Sequence, residues 1–258
     1  SPRSFARFRR LRALVSPLFA AYAAAFAQNG AYAARLRALG CRDAVSTGSM
    51  KADMVALADA AAIDAEGART GLRRGEPVLL LASTSDGEER AVRAAWRVPG
   101  WRIVICPRHP ERGEAIAREL GGPSVRTSAG GRLAGADEAL IVDEIGRLGA
   151  LYGWCAREGG IAVVGGSLGS GRGGQNMLEA AAARCATVVG WDVRSQPDSM
   201  HLLRACGGVV EVRQETIAAE LASLAGDAER RRALGDAGYG AWRAGQGAGR
   251  RARQPRLY

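Results

Sequence analysis

The sequence predicts an α/β fold, a doubly wound parallel sheet with helices on both faces. Short apolar runs of strand length recur between residues 78 and 212, and helical patterns stand between them. Glycine-rich or polar turns follow these runs directly. The chain has 258 residues, of which 47% are apolar, which is enough to bury one large core or two small ones. We therefore expect one sheet domain with one ligand crevice.

The segment before residue 66 is predicted to be mostly helical. Residues 4–39 have a helical pattern with two short interruptions, and Gly40 is a helix stop. A short strand is predicted at 43–47, and an alanine-rich amphipathic helix at 53–66.

From residue 78 onward, strands alternate with helices. The apolar runs predict strands at 78–83, 103–106, 139–142, 161–164, 187–189 and 209–212. The helical patterns predict helices at 88–96, 111–120, 148–157, 176–184 and 199–205. Because helical crossovers join parallel strands, this alternation favours the doubly wound sheet. Residues 214–244 are predicted to be helical and charged, and the tail from Gly245 to be loose.

The most informative stretch is 165–181, which reads G-G-S-L-G-S-G-R-G-G-Q-N-M-L-E-A-A. It follows the apolar run 161–164 and leads into a helical pattern, the order in which parallel sheets place ligand sites. Free N–H groups at a helix start favour a phosphate or a carboxylate. Asn176 and Glu179 project from the first helical turn on one face and can bind sugar hydroxyls. We hypothesise that this stretch holds an anionic nucleotide; the alternative is a tight connection without a ligand.

The stretch is neither of two common phosphate-binding motifs. Its glycine spacing differs from the dinucleotide fingerprint, and it lacks the Gly-Lys-Ser/Thr of a P-loop. Three more turns fall just after predicted strands, at 83–87, 107–110 and 143–146. Because carboxyl ends of parallel strands meet at one edge, we expect all four turns to converge. Their convergence indicates a ligand crevice more strongly than any one turn does.

Charge and cysteine content narrow the classes of function. The formal net charge is +10, and Lys51 is the one lysine. The basic residues concentrate at the chain ends, which suits anionic lipid headgroups or nucleic acid. No zinc-finger spacing, aromatic RNP motif or recognition-helix signature favours nucleic acid. The end residues are Arg3, Arg7, Arg9, Arg10, Arg12, Arg250, Arg251, Arg253 and Arg256.

The five cysteines are scattered and include no C-x-x-C pair. A disulfide framework or a zinc site is therefore not expected, and a reducing cytosol fits. No uncharged apolar stretch reaches about 18 residues, so we expect no membrane span. Because the chain begins at Ser1 within a helical pattern, we expect it to be a fragment of a longer protein.

Several motifs together resemble those of a known family. They are V-S-T-G-S-M-K (45–51), S-T-S-D-G-E-E (83–89), P-R-H-P-E-R (107–112), D-E-I-G-R-L (143–148), G-G-S-L (165–168) and G-G-Q-N-M-L-E-A-A (173–181). They are similar to V-T-G-N-L-K, S-T-H-E-G-E-E, P-R-H-P-E-R, D-(S/T)-M-G-E-L, G-G-S-L and G-G-H-N-P-L-E-(P/A)-A. These are motifs of the carboxyl-terminal domain of 3-deoxy-D-manno-octulosonic acid (Kdo) transferases of lipopolysaccharide synthesis. The resemblance runs in register from Ser1 to about residue 245.

The resemblance implies a two-domain GT-B glycosyltransferase that uses CMP-Kdo as donor substrate, without a metal or another cofactor. It implies Kdo transfer to lipid A precursor (lipid IVA) at the cytoplasmic face of the bacterial inner membrane, with peripheral contact to anionic lipid. The catalytic carboxylate base would lie in an amino-terminal domain that this fragment lacks. The implied parts are linking helices (1–40), a nucleotide-sugar-binding Rossmann-like domain (41–213), carboxyl-terminal helices (214–244) and a loose basic tail (245–258).

The resemblance also implies roles for individual residues. The nucleotide-binding residues would be Pro107, Arg108, Ile145, Gly146, Arg147, Gly166, Ser167, Asn176 and Glu179. Arg108 would bind the CMP phosphate, since a guanidinium forms charge-assisted hydrogen bonds. The segment 145–147 would offer backbone contacts to cytosine or ribose, and Asn176 and Glu179 would hold ribose or phosphate. Ser83, with the two residues after it, and Lys51 would stabilise charge during transfer.

Each of these roles has a simpler alternative. Arg108 and Lys51 are also typical of a solvated surface. Asn176 and the residues at 83–85 are also typical of helix caps, and Glu179 is also typical of a solvated side chain. His109, between two prolines, is expected to pack or hydrogen-bond rather than act as a base.

Four positions depart from the family motifs. Ser85 and Gln175 replace histidines, Arg147 replaces a glutamate, and Ser195 replaces an asparagine. The arginine reverses a charge in the predicted crevice and removes an acceptor pair. Two alternatives to ordinary Kdo transfer follow: a divergent nucleotide-binding paralogue with another donor sugar, and a catalytically silent binding module.

Overall fold

The computed structural model describes residues 2–96, 98–135, 137–169 and 171–253. The chain forms two compact units. The first comprises the residues up to Met54 together with those from Gly245 onward, and the second comprises Val55–Ala244. The predicted division at residues 40, 213 and 244 stays a prediction.

The first unit begins with two helices, α1 (Pro2–Arg10) and α2 (Arg12–Ala20). A βαβ element follows, made of β1 (Ala25–Ala27), α3 (Gly30–Ala38) and β2 (Ala44–Ser46), in which the two strands pair in parallel. The predicted strand at 43–47 is confirmed. The prediction of helix through 25–27 is wrong, because these residues pair with β2 and tertiary pairing overrides the helix propensity of alanine.

The end of the described chain also belongs to the first unit. Helix α12 (Ala248–Arg253) stands where the sequence predicts a loose tail. Its start is held by Asp53, whose carboxylate accepts hydrogen bonds from the N–H groups of Gly247 (2.6 Å) and Gly249 (2.8 Å). These hydrogen bonds lower the pKa of Asp53. Residues 254–258, including Arg256, lie outside the described residues.

Among its described residues, the second unit contains a seven-stranded sheet and eight α-helices. The strands are β3 (Val78–Thr84), β4 (Arg102–Pro107), β5 (Ser124–Arg126), β6 (Ala139–Ile141), β7 (Ile161–Val164), β8 (Ala186–Gly190) and β9 (Val210–Val212). The helices are α4 (Ala60–Thr70), α5 (Glu88–Ala95), α6 (Gly113–Glu119), α7 (Leu148–Arg157), α8 (Leu178–Ala182), α9 (Pro197–Ala205), α10 (Ile217–Gly226) and α11 (Ala228–Gly245).

All neighbouring strands of this sheet are parallel, in the order β5-β6-β4-β3-β7-β8-β9. Strand β3 is at its centre and is buried on both faces, as expected of a parallel sheet covered by helices. Leu79 and Leu81 face a core cluster that includes Val92 of α5 and Leu221 of α10. Helix α7 also packs on β3. The predicted fold class, a Rossmann-like α/β domain, is confirmed.

The six predicted strands of this sheet are confirmed, but several helix predictions needed correction. The predicted helix 53–66 is α4, which begins later because Asp59 caps it by accepting the Ala62 N–H at 2.8 Å. The predicted helix 176–184 is reduced to α8. The segment 214–244 is two helices, with a break at Asp227. Strand β5, at the sheet edge, was not predicted.

The chain crosses the sheet at its centre. From β3 it goes to β4 and the strands beyond it, and only β7 returns to the other side of β3. In open α/β sheets, ligands bind outside the carboxyl ends of the strands at such a switch point. Among the described helices, none is long and apolar enough to cross a membrane.

Candidate functional site

The four turns singled out in the sequence follow four consecutive strands. These strands are β6, β4, β3 and β7, all parallel, so their carboxyl ends form one edge of the sheet. Eight of the predicted site residues therefore stand at this edge: Ser83, Pro107, Arg108, Ile145, Gly146, Arg147, Gly166 and Ser167. Asn176 and Glu179 follow at the start of α8.

Glu88, the first residue of α5, fills the centre of this edge. It is 3% exposed, and its carboxylate accepts hydrogen bonds from four backbone N–H groups. They belong to Ser85 (2.8 Å), Gly166 (2.7 Å), Ser167 (3.0 Å) and Leu168 (2.8 Å). The glycine-rich turn thus binds an anion, but the anion is a side chain of the same chain.

Every polar atom of Ser167 forms a hydrogen bond within the chain. Its side chain is fully buried, and its hydroxyl donates to the Val164 carbonyl (2.6 Å) and accepts the Gly190 N–H (2.8 Å). Its own carbonyl accepts the Asp192 N–H at 3.0 Å. The nucleotide contacts of Gly166 and Ser167 stay predictions, and these hydrogen bonds argue against contact through the N–H groups of either residue.

Glu89 joins the turns after β3 and β4. Its carboxylate, also 3% exposed, accepts the Thr84 hydroxyl at 2.6 Å and Arg112 Nη1 at 2.9 Å. Arg112 also contacts Asp86 through Nε at 2.6 Å. Together, Glu88 and Glu89 connect the turns after β3, β4 and β7. Neither they nor Arg112 was singled out from the sequence.

Ser83 has an unusual backbone. Its φ is 52°, in the left-handed region, and the pairing of β3 with β4 shifts register there. Such a conformation costs a non-glycine residue about 1 kcal/mol, and strain of this kind clusters at functional sites. The neighbouring turn approaches closely, since a Cβ on Gly165 would lie 2.7 Å from the Ser83 carbonyl oxygen. The catalytic role of Ser83 stays a prediction.

The turn after β4 presents Arg108 to solvent. Pro107 is buried at the end of the strand, and Arg108 is exposed, with its backbone N–H bound to the Thr84 carbonyl at 3.0 Å. No described residue forms an ion pair with the Arg108 guanidinium. His109 is also exposed, 3.5 Å from the Glu111 carboxylate. Arg108 is therefore available to an anionic ligand.

The turn after β6 presents an apolar side chain and open backbone. Ile145 is 89% exposed. Gly146 has a φ of +84°, which favours glycine, and nothing lies within 4 Å of the place where its Cβ would be. The backbone here is accessible, as the predicted contact with a base or ribose requires.

Arg147 is paired inside the chain. Its Nε donates to Oε2 of Glu66 at 2.8 Å, and its Nη2 contacts the same oxygen. Arg69 joins this group by contacting Glu66 (3.5 Å) and Glu144 (2.7 Å). The charge reversal at position 147 is thus compensated by Glu66 of α4. No local sequence pattern indicates this partner, because Glu66 lies 81 residues before Arg147.

Burial gives two groups near this turn shifted pKa values. Glu66 is 3% exposed, and its burial raises the pKa of its carboxyl group. Burial, followed by the charge of Glu66, raises the pKa of the Cys106 thiol to about 12. Cys106 is therefore not a nucleophile at neutral pH.

Asn176 and Glu179 contact each other at the start of α8. Asn176 Nδ2 donates to Glu179 Oε1 at 2.9 Å, and its Oδ1 accepts the Leu178 N–H at 3.3 Å. Both side chains are half-buried. Asn176 lies one residue before the N-cap of α8, Met177, so the structure does not make it the helix cap. The carboxylate of Glu179 keeps acceptor capacity for a hydroxyl group.

The other three departures from the family motifs contact the glycine-rich turn or its carboxylate. The Ser85 N–H donates to Glu88, and the Gln175 N–H donates to the Gly165 carbonyl at 3.0 Å. Ser195 binds the turn through its N–H, which donates to the Gly173 carbonyl at 2.9 Å. These three contacts run through backbone N–H groups, which other residue types would also offer, so they do not depend on the substituted side chains.

Lys51 belongs to the first unit, where its backbone N–H donates to the Ser49 hydroxyl at 3.3 Å. Its role in charge stabilisation stays a prediction. Among the residues that the structure describes, no group of three His, Cys, Asp or Glu side chains is placed to hold a metal ion.

Asp143 anchors the turn after β6. Its carboxylate accepts hydrogen bonds from the Ser128 N–H (2.9 Å), the Ser128 hydroxyl (2.7 Å) and Arg126 Nε (2.8 Å). Burial raises the pKa of Asp143, but these hydrogen bonds outweigh it and hold the pKa below its usual value.

This lowered pKa predicts a pH dependence of stability. A carboxyl group whose pKa is lowered by folding stabilises the folded state fully at pH values above its unfolded pKa of about 3.9. This stabilisation is lost as the pH falls through the pKa of the folded state. We expect the free energy of unfolding to fall from about pH 5 to about pH 3, and to fall less steeply in Asp143→Asn. Urea unfolding at each pH measures this; equal slopes for both proteins would contradict it.

The chain is similar in sequence to known proteins of one family. The family model described as 3-deoxy-D-manno-octulosonic-acid transferase (kdotransferase) matches residues 1–54. A 3-deoxy-D-manno-octulosonic acid transferase of Bordetella pertussis is 33% identical over 233 residues, which are 84% of this chain and 52% of that protein. A probable mitochondrial one of Arabidopsis thaliana is 34% identical over 125 residues, 45% of this chain and 27% of that protein.

Two solved structures share the fold. One is the C-terminal CMP-Kdo binding domain of WaaA from Acinetobacter baumannii, with a TM-score of 0.63 and 21% identity over 71% of this chain and 98% of that one. The other is Anabaena Alr3699/HepE in complex with UDP, with a TM-score of 0.57 and 10% identity over 98% of this chain and 68% of that one. These neighbours confirm the expected fold class, a Rossmann-like α/β domain.

The chain spans about half the length of the Bordetella relative and about a quarter of the Arabidopsis one. The family match at residues 1–54 and the Bordetella match over most of the chain agree with the motifs. By sequence, the chain is similar to 3-deoxy-D-manno-octulosonic acid transferases over most of its length.

Proposed function

We propose that this chain is the donor-binding part of a glycosyltransferase that transfers Kdo from CMP-Kdo to lipid A precursor (lipid IVA) in lipopolysaccharide synthesis. The named relatives support the reaction class. Transfer is proposed to need no metal and no further cofactor, which activity of the full-length protein in EDTA would test. The proposed location is the cytoplasmic face of the bacterial inner membrane.

The availability of Arg108 carries the proposal. Three arginines follow β4 and β6 at the carboxyl edge. Arg112 is paired with Glu89, and Arg147 with Glu66. Among the described residues, no carboxylate pairs with Arg108. Because Glu88 already occupies the N–H groups of the glycine-rich turn, the phosphate of a nucleotide would depend on Arg108 for its charge partner.

The other residues would position the rest of the donor. The accessible backbone at Ile145 and Gly146 would contact the base, and Glu179, oriented by Asn176, would accept a ribose hydroxyl. Ser83 would face the leaving phosphate or the sugar carboxylate from its strained turn. Lys51 would add positive charge in the assembled enzyme, and the catalytic base would come from another domain.

The test is isothermal titration of CMP into the chain. We expect CMP to bind, and Arg108→Ala to weaken binding at least about tenfold, since a hydrogen bond to a charged group contributes about 1.5–3 kcal/mol. Arg118→Ala is the matched control, because Arg118 is also exposed and has no ion pair among the described residues. Unchanged affinity in Arg108→Ala would refute the assignment of the phosphate site.

The pairing of Arg147 with Glu66 favours a second candidate, a different donor in the same site. In this pairing, position 147 offers hydrogen-bond donors and no carboxylate for a ribose. Titration of a panel of nucleoside mono- and diphosphates decides between them. Clear preference for a nucleotide other than CMP would support the second candidate, and no binding at all would support the catalytically silent alternative.

Membrane contact is proposed for the basic first helices. Arg7, Arg9, Arg10 and Arg12 are exposed, and so are Leu11 (51%), Leu14 (75%) and Leu18 (69%). A basic helical surface with exposed leucines suits an anionic bilayer.

Vesicle sedimentation tests this contact. We expect the chain to sediment with phosphatidylglycerol vesicles at low salt and much less with phosphatidylcholine vesicles or at about 0.5 M salt, where charges are screened. Reversing Arg9 and Arg10 to glutamate should abolish sedimentation. Equal binding to both lipids would refute an electrostatic contact.

A further inference from the structure

A small basic cavity lies at the amino-terminal ends of β7 and β8, the opposite end of these strands from the carboxyl edge of the sheet. Its volume is about 270 Å³, and Gly160 and Ala186 at the strand starts line it. Five charged side chains also line it, four arginines and one aspartate. They are Arg157, Arg184, Arg231, Arg232 and Asp236.

The positive charge of this cavity is only partly neutralised. Arg184 is paired with Asp236. Arg231 donates to backbone carbonyls, those of Gly159 (2.7 Å) and Leu224 (2.5 Å) among them, and to no carboxylate of the described chain. Arg232 has no ion pair with a described residue. Burial lowers the pKa of Arg231, a cost to its charged form that a bound anion would offset.

Arg157 lines the cavity from α7, and its guanidinium lies over the Trp154 ring, 4.3 Å from Cζ to the ring centroid. Its Nη1 pairs with Asp64 at 2.8 Å and its Nε with Glu158 at 3.2 Å. Its Nη2 is buried and has no hydrogen-bond partner among the described residues. Because this nitrogen has almost no accessible surface, Arg157 adds positive charge to the cavity rather than a hydrogen bond to a ligand.

An apolar groove adjoins the basic cavity and shares Ala156, Arg157 and Arg184 with it. Its volume is about 450 Å³. Leu57 and Ile63 form part of its lining, together with small residues of α7 and α8. Leu57 is 50% exposed, which leaves apolar surface uncovered.

Tyr239 also lines the groove, and its ring lies against the Arg184 guanidinium at 3.9 Å from centroid to Cζ. Two of the four arginines, Arg157 and Arg184, therefore stand where the groove meets the cavity. A ligand with an anionic head and a hydrocarbon chain would fit this combination of charge and apolar surface.

We propose that the basic cavity and the adjoining groove together bind an anionic amphiphile. Its phosphate or carboxylate lies among Arg184, Arg231 and Arg232, and its hydrocarbon chain lies along Leu57 and Ile63. Inorganic phosphate can interact with the arginines of the cavity but not with the groove. A neutral amphiphile can bury its hydrocarbon chain in the groove but has no charge for the arginines. This site is separate from the carboxyl edge of the sheet, so the proposal does not depend on whether the chain binds CMP.

The test is isothermal titration of dodecyl phosphate, below its micelle concentration, into the whole chain. We expect one saturable site. Inorganic phosphate and dodecyl maltoside should each bind at least about tenfold more weakly, because each lacks one half of the interaction. If phosphate bound as tightly as dodecyl phosphate, or if dodecyl phosphate did not bind, the proposal would be overturned.

Two variants locate the site. Arg232→Glu and Leu57→Asp, both at exposed positions, should each weaken dodecyl phosphate binding about tenfold or more. Arg118→Glu, at an exposed arginine outside both cavities, should bind like the wild type. Leu57→Ser replaces Leu57→Asp if circular dichroism shows that the latter is unfolded. Wild-type affinity in both site variants would place binding elsewhere and end the proposal.

Discussion

Replacement of Glu88 by alanine should lower the free energy of unfolding by about 3–5 kcal/mol, the effect expected when a buried charged hydrogen-bonding partner is removed. Four backbone N–H groups, those of Ser85, Gly166, Ser167 and Leu168, would lose their common acceptor. Urea unfolding followed by circular dichroism measures the change.

Two further variants show whether the carboxylate itself matters. Glu88→Gln keeps the size of the side chain, but its amide nitrogen is a donor that would face N–H donors. We therefore expect it to recover only part of the stability. Glu114→Ala removes an exposed carboxylate from the first turn of α6 and should change stability by less than about 0.5 kcal/mol. If Glu88→Ala lowered the free energy of unfolding no more than Glu114→Ala does, the hydrogen bonds to Glu88 would contribute little to stability.

The role of Glu88 shows where sequence reasoning reached its limit. The strand, turn and helix around residue 165 were predictable, because the apolar run and the glycines are local signals. The identity of the anion was not. An acidic residue at a helix start is common for its interaction with the helix dipole, and the contact of Glu88 with Gly166 spans 78 residues. The one local signal was the pair of glutamates directly after Gly87.

The sheet was predicted well because its central strands are buried on both faces. Such strands give continuous apolar runs, as β3 and β7 do. Strand β5 reads Ser-Val-Arg, is only half-buried, and stands at the edge, so it has no such run. Strand β1 is Ala-Phe-Ala, and alanine favours helices until a partner strand decides otherwise.

The location of the candidate site could be predicted from the sequence, but the contacts between its residues could not. The positions of Arg108 and Gly146 followed from strand ends. The pairing of Arg147 with Glu66 depends on how α4 packs near the edge, which no local pattern records. The arginine at position 147 is therefore paired with Glu66. Titration with a panel of nucleotides measures whether this pairing changes the preferred donor.

Replacement of Gly190 by alanine should lower the free energy of unfolding by about 3 kcal/mol, at the upper end for overpacking. An alanine Cβ would lie 2.0 Å from the Ser167 carbonyl oxygen and 2.7 Å from the Leu168 nitrogen. Both are backbone atoms, so the turn after β7 would have to move. Its movement would lengthen the hydrogen bonds from Ser167 and Leu168 to Glu88.

Gly240→Ala is the matched control for this substitution. Gly240 lies within α11 with nothing within 4 Å of its added Cβ, so alanine should stabilise by up to about 1 kcal/mol. Because Gly190→Ala and Glu88→Ala disturb the same turn, the double variant should lose less stability than the sum of the two single losses. Strict additivity in urea unfolding would show that Gly190 and Glu88 act on separate parts of the fold, and that the 165–168 turn is not held as one structure.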